Sequence, residues 1–230
     1  MVLGNFILPH WKSLWIPFFQ VSNFILQSTK YKCITGGPIS ENCYLLIDEK
    51  TNQAAVVDPG FLNDALLNEI KKYTVQRILL THGHFDHIWE ADRLHEMLGV
   101  PVCAYETEAA FAADDKQNGS LLMMYESVTC KVHEAFKDGE TFQIGEVPVT
   151  VLHTPGHTAG GVSYITPDAV FTGDTLMGYS VGRCDLPTGN SAELRESLKK
   201  LAALSGNPDI CGGHGPVTTL EDEKRRNPYL

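Results

Sequence analysis

Thr81-His82-Gly83-His84-Phe85-Asp86-His87 decides how this 230-residue chain is read. It sets three imidazoles and one carboxylate within six consecutive residues, directly after the apolar run Ile78-Leu79-Leu80. Neutral imidazole and carboxylate suit zinc and non-haem iron. A lone histidine is more often a packed or solvated side chain than a ligand. Four ligand-type residues at i, i+2, i+4 and i+5, straight after a buried strand, reverse that balance.

The same grammar of strand, glycine turn and ligand recurs downstream. His157 lies in Thr154-Pro155-Gly156-His157-Thr158, after the strand-like Val147 to Leu152. Asp174 lies in Thr172-Gly173-Asp174-Thr175, after Ala169-Val170-Phe171. His214 lies in Gly212-Gly213-His214-Gly215, after Asp209-Ile210-Cys211. Loops at strand ends can present such side chains to one shared cleft.

Working outward, strands are expected at Tyr31–Ile34, Asn42–Ile47, Ala54–Val57 and 77–80. Helices are expected from Asn63 to Lys72, from Ile88 to Leu98 and from Asn190 to Leu204, with a short one after a Thr107 cap. Asn190 with Glu193 reads as a capping box. Glu140 to Phe171 is strand-rich, and Leu121 to Tyr125 is apolar, either core or a lid over a cleft. Two halves, each of strands followed by helices, imply sheets packed together with helices outside.

Composition bounds the function. Hydrophobic residues make up 43% and charged residues 20%, which is globular. A net charge of −10 argues against a nucleic-acid partner, because phosphate binding needs a concentrated basic surface. The short basic run Lys224-Arg225-Arg226 is read as a solvated helix face. Six scattered cysteines without a C-x-x-C pair indicate reduced thiols and a cytoplasmic location. Residues 1–28 read as an apolar extension outside a domain of residues 29–230, with no unbroken stretch near the ~20 apolar residues of a membrane span. His10, His95 and His133 lack ligand partners in sequence, and His153 is read as a packing residue.

The T-H-x-H-x-D-H run with His157, Asp174 and His214 in order resembles the metallo-β-lactamase superfamily, from about Tyr31 to the C-terminus. Within it, Thr154 to Thr158 and Gly173-Asp174-Thr175-Leu176 look like the glyoxalase II (hydroxyacylglutathione hydrolase) group. Gly182-Arg183-Cys184-Asp185-Leu186-Pro187 looks like its short, single-domain branch. The resemblance implies an α/β fold, an αββα sandwich with the metal cleft at the sheet edge. It implies two zinc ions, with iron as the other candidate. His82, His84 and His157 would hold one ion and Asp86, His87 and His214 the second. Asp174 would bridge them, and Asp86 would also orient a metal-bound hydroxide.

The implied activity is hydrolysis of a small-molecule thioester or related ester. Glyoxalase II carries a C-terminal helical domain that contributes glutathione contacts, whereas only Val217 to Leu230 follow His214 here. Dependence on glutathione is therefore expected to be weaker. Arg183 has two readings, a contact to a substrate carboxylate or a salt bridge with Asp185; Tyr179 is a weaker substrate candidate. The alternative activity is that of the persulfide dioxygenases, which this group also resembles. Those hold one iron with two histidines and one aspartate, by position His82, His157 and Asp174.

Overall fold

The computed structural model describes residues 29–230; the expected apolar extension, 1–28, lies outside them. The first half of the chain builds one six-stranded sheet. Its strands are β1 (Lys30–Gly36), β2 (Glu41–Asp48), β3 (Gln53–Val57), β4 (Thr74–Leu79), β5 (Val102–Tyr105) and β6 (Glu134–Phe136), hydrogen-bonded in that order. Helices α1 (Asp64–Ile70), α2 (Phe85–Ile88), α3 (Ala91–Leu98), α4 (Glu108–Ala112) and α5 (Ser120–Met123) connect them. The second half builds the other sheet, in the order β12-β11-β10-β9-β8-β7. These are β7 (Thr141–Ile144), β8 (Val147–His153), β9 (Val162–Ile165), β10 (Ala169–Gly173), β11 (Asp209–Gly212) and β12 (Thr218–Thr219). Helix α6 (Ser191–Ala202) joins β10 to β11, and α7 (Leu220–Arg226) follows β12.

Period-two alternation explains the layers, because successive strand residues face opposite sides. Tyr44, Leu46, Ala55, Val57 and Leu79 point inward, where they meet Val149, Val151, Tyr164 and Phe171 of the second sheet. Their neighbours Cys43, Leu45, Ile47, Val56 and Ile78 point outward and are covered by Leu66, Ile70 and Leu94 of α1 and α3. On the far side, Val170 and Ile210 pack under Leu194, Leu198 and Leu201 of α6. Strands buried on both faces read as continuous apolar runs; all eight residues of β2 are buried. The result is the expected αββα sandwich.

Asn63 caps α1, its side chain accepting from the Leu66 amide. Asn190 caps α6 through the Ala192 and Glu193 amides, but the capping box is not closed: the Asn190 amide donates instead to the Gly156 carbonyl. Thr107 makes no side-chain cap to α4, because its backbone is already helical at φ −81° and ψ −18°. The expected helix from Ile88 is broken into α2 and α3. All six cysteines are free. Among the described residues no helix is long and apolar enough to cross a membrane.

Candidate metal centre

Every ligand-type residue singled out above leaves the end of a strand. The His82–His87 loop follows β4, His157 follows β8, Asp174 follows β10 and His214 follows β11. Contacts between the sheets draw these loops together. The Asn42 amide donates to the Gly213 carbonyl at 2.7 Å, and the Tyr44 hydroxyl donates to the Gly212 carbonyl at 2.7 Å. Gly213 must be glycine, because a Cβ there would lie 2.2 Å from Asp174 Oδ1 and 2.6 Å from His87 Cε1.

Two clusters form. Potential ligand atoms of His82, His84 and His157 lie within 4.8 Å of one another, as do those of Asp86, His87 and His214. Asp174 stands between them. Its Oδ1 is 3.5 Å from His87 Nε2, and its Oδ2 is 3.5 Å from His157 Nε2 and 3.7 Å from His214 Nε2.

Acceptors behind the rings fix their orientation. His82 Nδ1 lies 3.1 Å from Thr81 Oγ1, His87 Nδ1 lies 3.0 Å from Asp58 Oδ2, and His157 Nδ1 lies 2.7 Å from the Arg183 carbonyl. With the proton on Nδ1, each ring turns an Nε2 lone pair toward the cleft. His82 Nε2, His87 Nε2 and Asp174 Oδ1 are buried with no hydrogen-bond partner. An unsatisfied buried polar atom costs about 1–3 kcal/mol. Such unpartnered atoms, spread over both groups of ligand-type residues, fit bound cations.

The electrostatics agree. Burial and then the neighbouring histidines hold His82 well below the usual imidazole range, and burial and His157 do the same to His84. Both rings are neutral at neutral pH, as ligands must be. His87 goes the other way. Burial opposes its charge, but Asp86, Asp174 and Asp58 overcome that and raise it well above the usual range. Asp86 is held well below the carboxylate range: His87 and His214 outweigh the cost of burying it. This half of the site stabilises positive charge, whether proton or metal.

The cleft mouth is apolar around these groups. Ile39, Phe85, Met123, Met177 and Leu186 line it beside the metal-ligand candidates, and Arg183 is its basic residue. The Arg183 guanidinium is engaged by the Asp185 carboxylate through Nε at 2.6 Å and Nη2 at 2.7 Å. Leu121, Leu122 and Met123 of α5 are 37–64% exposed; Met123 lines the cleft, whereas Met124 packs against the core. Tyr179 is not among the cleft-lining residues; it stacks under Arg226, 4.3 Å from the guanidinium carbon. His153 stacks on Tyr105 and His95 on His133, away from both clusters.

Asp58, which follows the strand expected at Ala54–Val57, belongs to the site although no motif marks it. Buried at 2% exposure, it accepts from the Thr81 amide, the Thr81 hydroxyl and His87 Nδ1. Its one local signal is an aspartate before Pro59-Gly60, held at φ +52°. Non-glycine residues rarely adopt that region without a functional cause.

Comparison with known proteins agrees with this architecture. The family model described as the metallo-beta-lactamase superfamily matches residues 36–214. A probable metallo-hydrolase of Bacillus subtilis, YqgX, is 37% identical over 87% of this chain and 97% of its own. The hydroxyacylglutathione hydrolase GloC of Haemophilus influenzae is 32% identical over 83% of this chain and 92% of its own. Among solved structures, the BLEG-1 B3 metallo-beta-lactamase superposes with a TM-score of 0.82 at 34% identity, over 87% of this chain and 99% of that one. TTHA1623 in a di-iron-bound form gives 0.74 at 33% identity, over 86% and 100%. ETHE1 from Myxococcus xanthus gives 0.71 at 28% identity, over 86% and 83%.

Proposed function

Since the chain belongs to the metallo-beta-lactamase superfamily, we propose that it is a glyoxalase II-like metallo-hydrolase that cleaves thioesters or related esters in the cleft between its two sheets. The observation that carries this is the convergence of two ligand clusters on one shared carboxylate, with buried nitrogen and oxygen atoms left unpartnered. His82, His84 and His157 would hold one metal and Asp86, His87 and His214 the other, with Asp174 able to serve both. The preferred ions are zinc; the di-iron form of TTHA1623 supports iron as the other candidate. Bound divalent metal supplies a Lewis acid and lowers the pKa of coordinated water from ~15.7 to ~7, which gives a nucleophile at neutral pH.

The protein's own groups do the remaining work. Asp86, ionised and 3.1 Å from His214 Nε2, offers acceptor oxygens that orient the attacking group toward the substrate carbonyl. Asp58 and the Arg183 carbonyl keep His87 and His157 in the required tautomer. Ile39, Met123, Met177 and Leu186 bind apolar parts of the substrate and exclude bulk water. A thiolate leaves easily, its parent thiol having a pKa near ~8.5, so no strong general acid is needed. The similarity to GloC supports the thioester class.

A second reading, a mononuclear-iron persulfide dioxygenase, would need only His82, His157 and Asp174. The second group of ligand-type residues, in which Asp58 orients His87, favours the two-metal hydrolase. Elemental analysis of protein purified without added metal, paired with thiol release from a thioester panel, tests the choice. Two metals per chain and thiol release are expected. One iron per chain, with oxygen uptake on glutathione persulfide, would overturn the proposal.

A further inference from the structure

We propose that Glu108 is a positioning residue for the three-histidine cluster: its one buried carboxylate clasps the His82–His84 loop and the loop after His157 and holds them in register. The inference rests on reading His82, His84 and His157 as metal-holding residues.

Glu108 opens α4, yet it faces inward and is 2% exposed. Its Oε1 accepts from the Gly83 amide at 2.8 Å. Gly83 separates His82 from His84, so this bond fixes the backbone from which both rings project. The carboxylate's other oxygen meets the second loop. A Cβ at Gly160, three residues past His157, would lie 2.3 Å from Glu108 Oε2. Burial pushes the Glu108 carboxyl above its ordinary range, and the polar groups around it, the Gly83 amide foremost, offset that only in part. No basic side chain acts on it. A buried carboxylate is costly unless hydrogen-bonded, and here one oxygen is bonded by one loop while the other lies against a second loop, more than seventy residues away in sequence and on the other sheet. An apolar residue would fill the same space without joining them. Because His84 Nδ1 and His157 Nε2 approach to 2.8 Å across this junction, small relative shifts of the loops change the three-histidine geometry directly.

The test uses the full chain loaded with zinc and measures zinc released to a chelator over time. His84→Ala identifies which zinc equivalent belongs to the three-histidine cluster. Glu108→Gln, equal in shape, replaces one acceptor oxygen by a donor amide. Release of that equivalent should be at least tenfold faster than in the unaltered protein, with the other equivalent unchanged. Gly160→Ala presses on the same carboxylate from the opposite loop and should reproduce the selective loss; it carries the test alone if Glu108→Gln does not fold. Unchanged release in both variants overturns the role of Glu108. Equal acceleration of both equivalents also overturns it, because that pattern is general loosening. An unaltered protein that holds no zinc or iron overturns the metal reading itself.

Discussion

At the residue scale, the histidines of this cleft depend on what stands behind them. His87 shows the case most clearly, because its Nδ1 is held by Asp58 and its Nε2 is free for the cleft. Loss of such an orienting carboxylate typically lowers metal affinity 10–100-fold. Asp58→Asn should therefore weaken the second metal by that factor, as competition with a chromogenic chelator would show. His84→Ala should lose metal from the first cluster and most of the activity; full metal content with full activity would remove His84 from the site. Arg183 has two roles to separate. Its carbonyl serves His157 and survives substitution of the side chain. Its guanidinium holds Asp185 down to about 2. A depressed carboxylate pairs fully above its ordinary pKa of ~3.9 and loses the pairing only as pH falls toward 2. No inflection between pH 5 and 9 should arise from this pair. If the guanidinium also binds a substrate carboxylate, Arg183→Ala should lower kcat/KM about ten- to a hundredfold on acidic thioesters only. Asp185→Asn should then lower KM for the same substrates by freeing the fork. Equal effects on acidic and neutral thioesters would leave Arg183 a structural partner of Asp185.

At the element scale, α7 acts as a strap on the loop that leads to Arg183. Glu223 is buried at 0% exposure and accepts from the Tyr179 amide at 3.0 Å, from the Thr218 hydroxyl at 2.5 Å and from Asn227 Nδ2 at 2.7 Å. Asn227 also donates to the Ser180 carbonyl at 3.1 Å. This network explains how Tyr179 is held at φ +61°. Glu223→Ala would leave several buried donors unpaired, at about 1–3 kcal/mol. The cleft wall at Met177 and Arg183 should loosen in consequence. KM should rise severalfold while metal content stays at the unaltered value, and steady-state kinetics beside elemental analysis would check both. A loss of metal equal to the loss of activity would place the effect at the ligands instead. The capping of α6 belongs to the same scale. Asn190 was legible as a cap in the sequence, but its amide is taken by Gly156, and that contact ties the helix to the His157 loop. No local pattern announces such a bond.

At the scale of the whole molecule, the metal centre is a seam. The loop after β4 supplies four ligand candidates from one sheet, and the loops after β8, β10 and β11 supply three from the other. Bound metal therefore links the two sheets across the edge of the sandwich. Ligand that binds only the folded state adds about 2.7–4 kcal/mol at 100–1,000 times its Kd. For a domain of this size each kcal/mol is worth ~2–4 °C. Stripping the metal should lower Tm by roughly 5–15 °C, read by differential scanning calorimetry. The secondary structure should persist, because the inter-sheet core of Leu46, Val149, Val151 and Phe171 contains none of the ligand candidates. Restoring zinc should restore Tm; a melting curve indifferent to metal would contradict the linkage.

The sequence by itself determined the layers and the identities of the seven ligand candidates. Strand alternation and helical spacing are local properties, and a motif of three histidines and an aspartate is dense enough to carry its chemistry without a fold. The metal-facing geometry was decided by the tertiary structure alone. Asp58 reaches His87 across 29 positions and Glu108 reaches Gly83 across 25. Each of these acids reads in sequence as an ordinary surface carboxylate. Only packing takes them out of water, and a buried carboxylate must then find donors wherever the fold brings them.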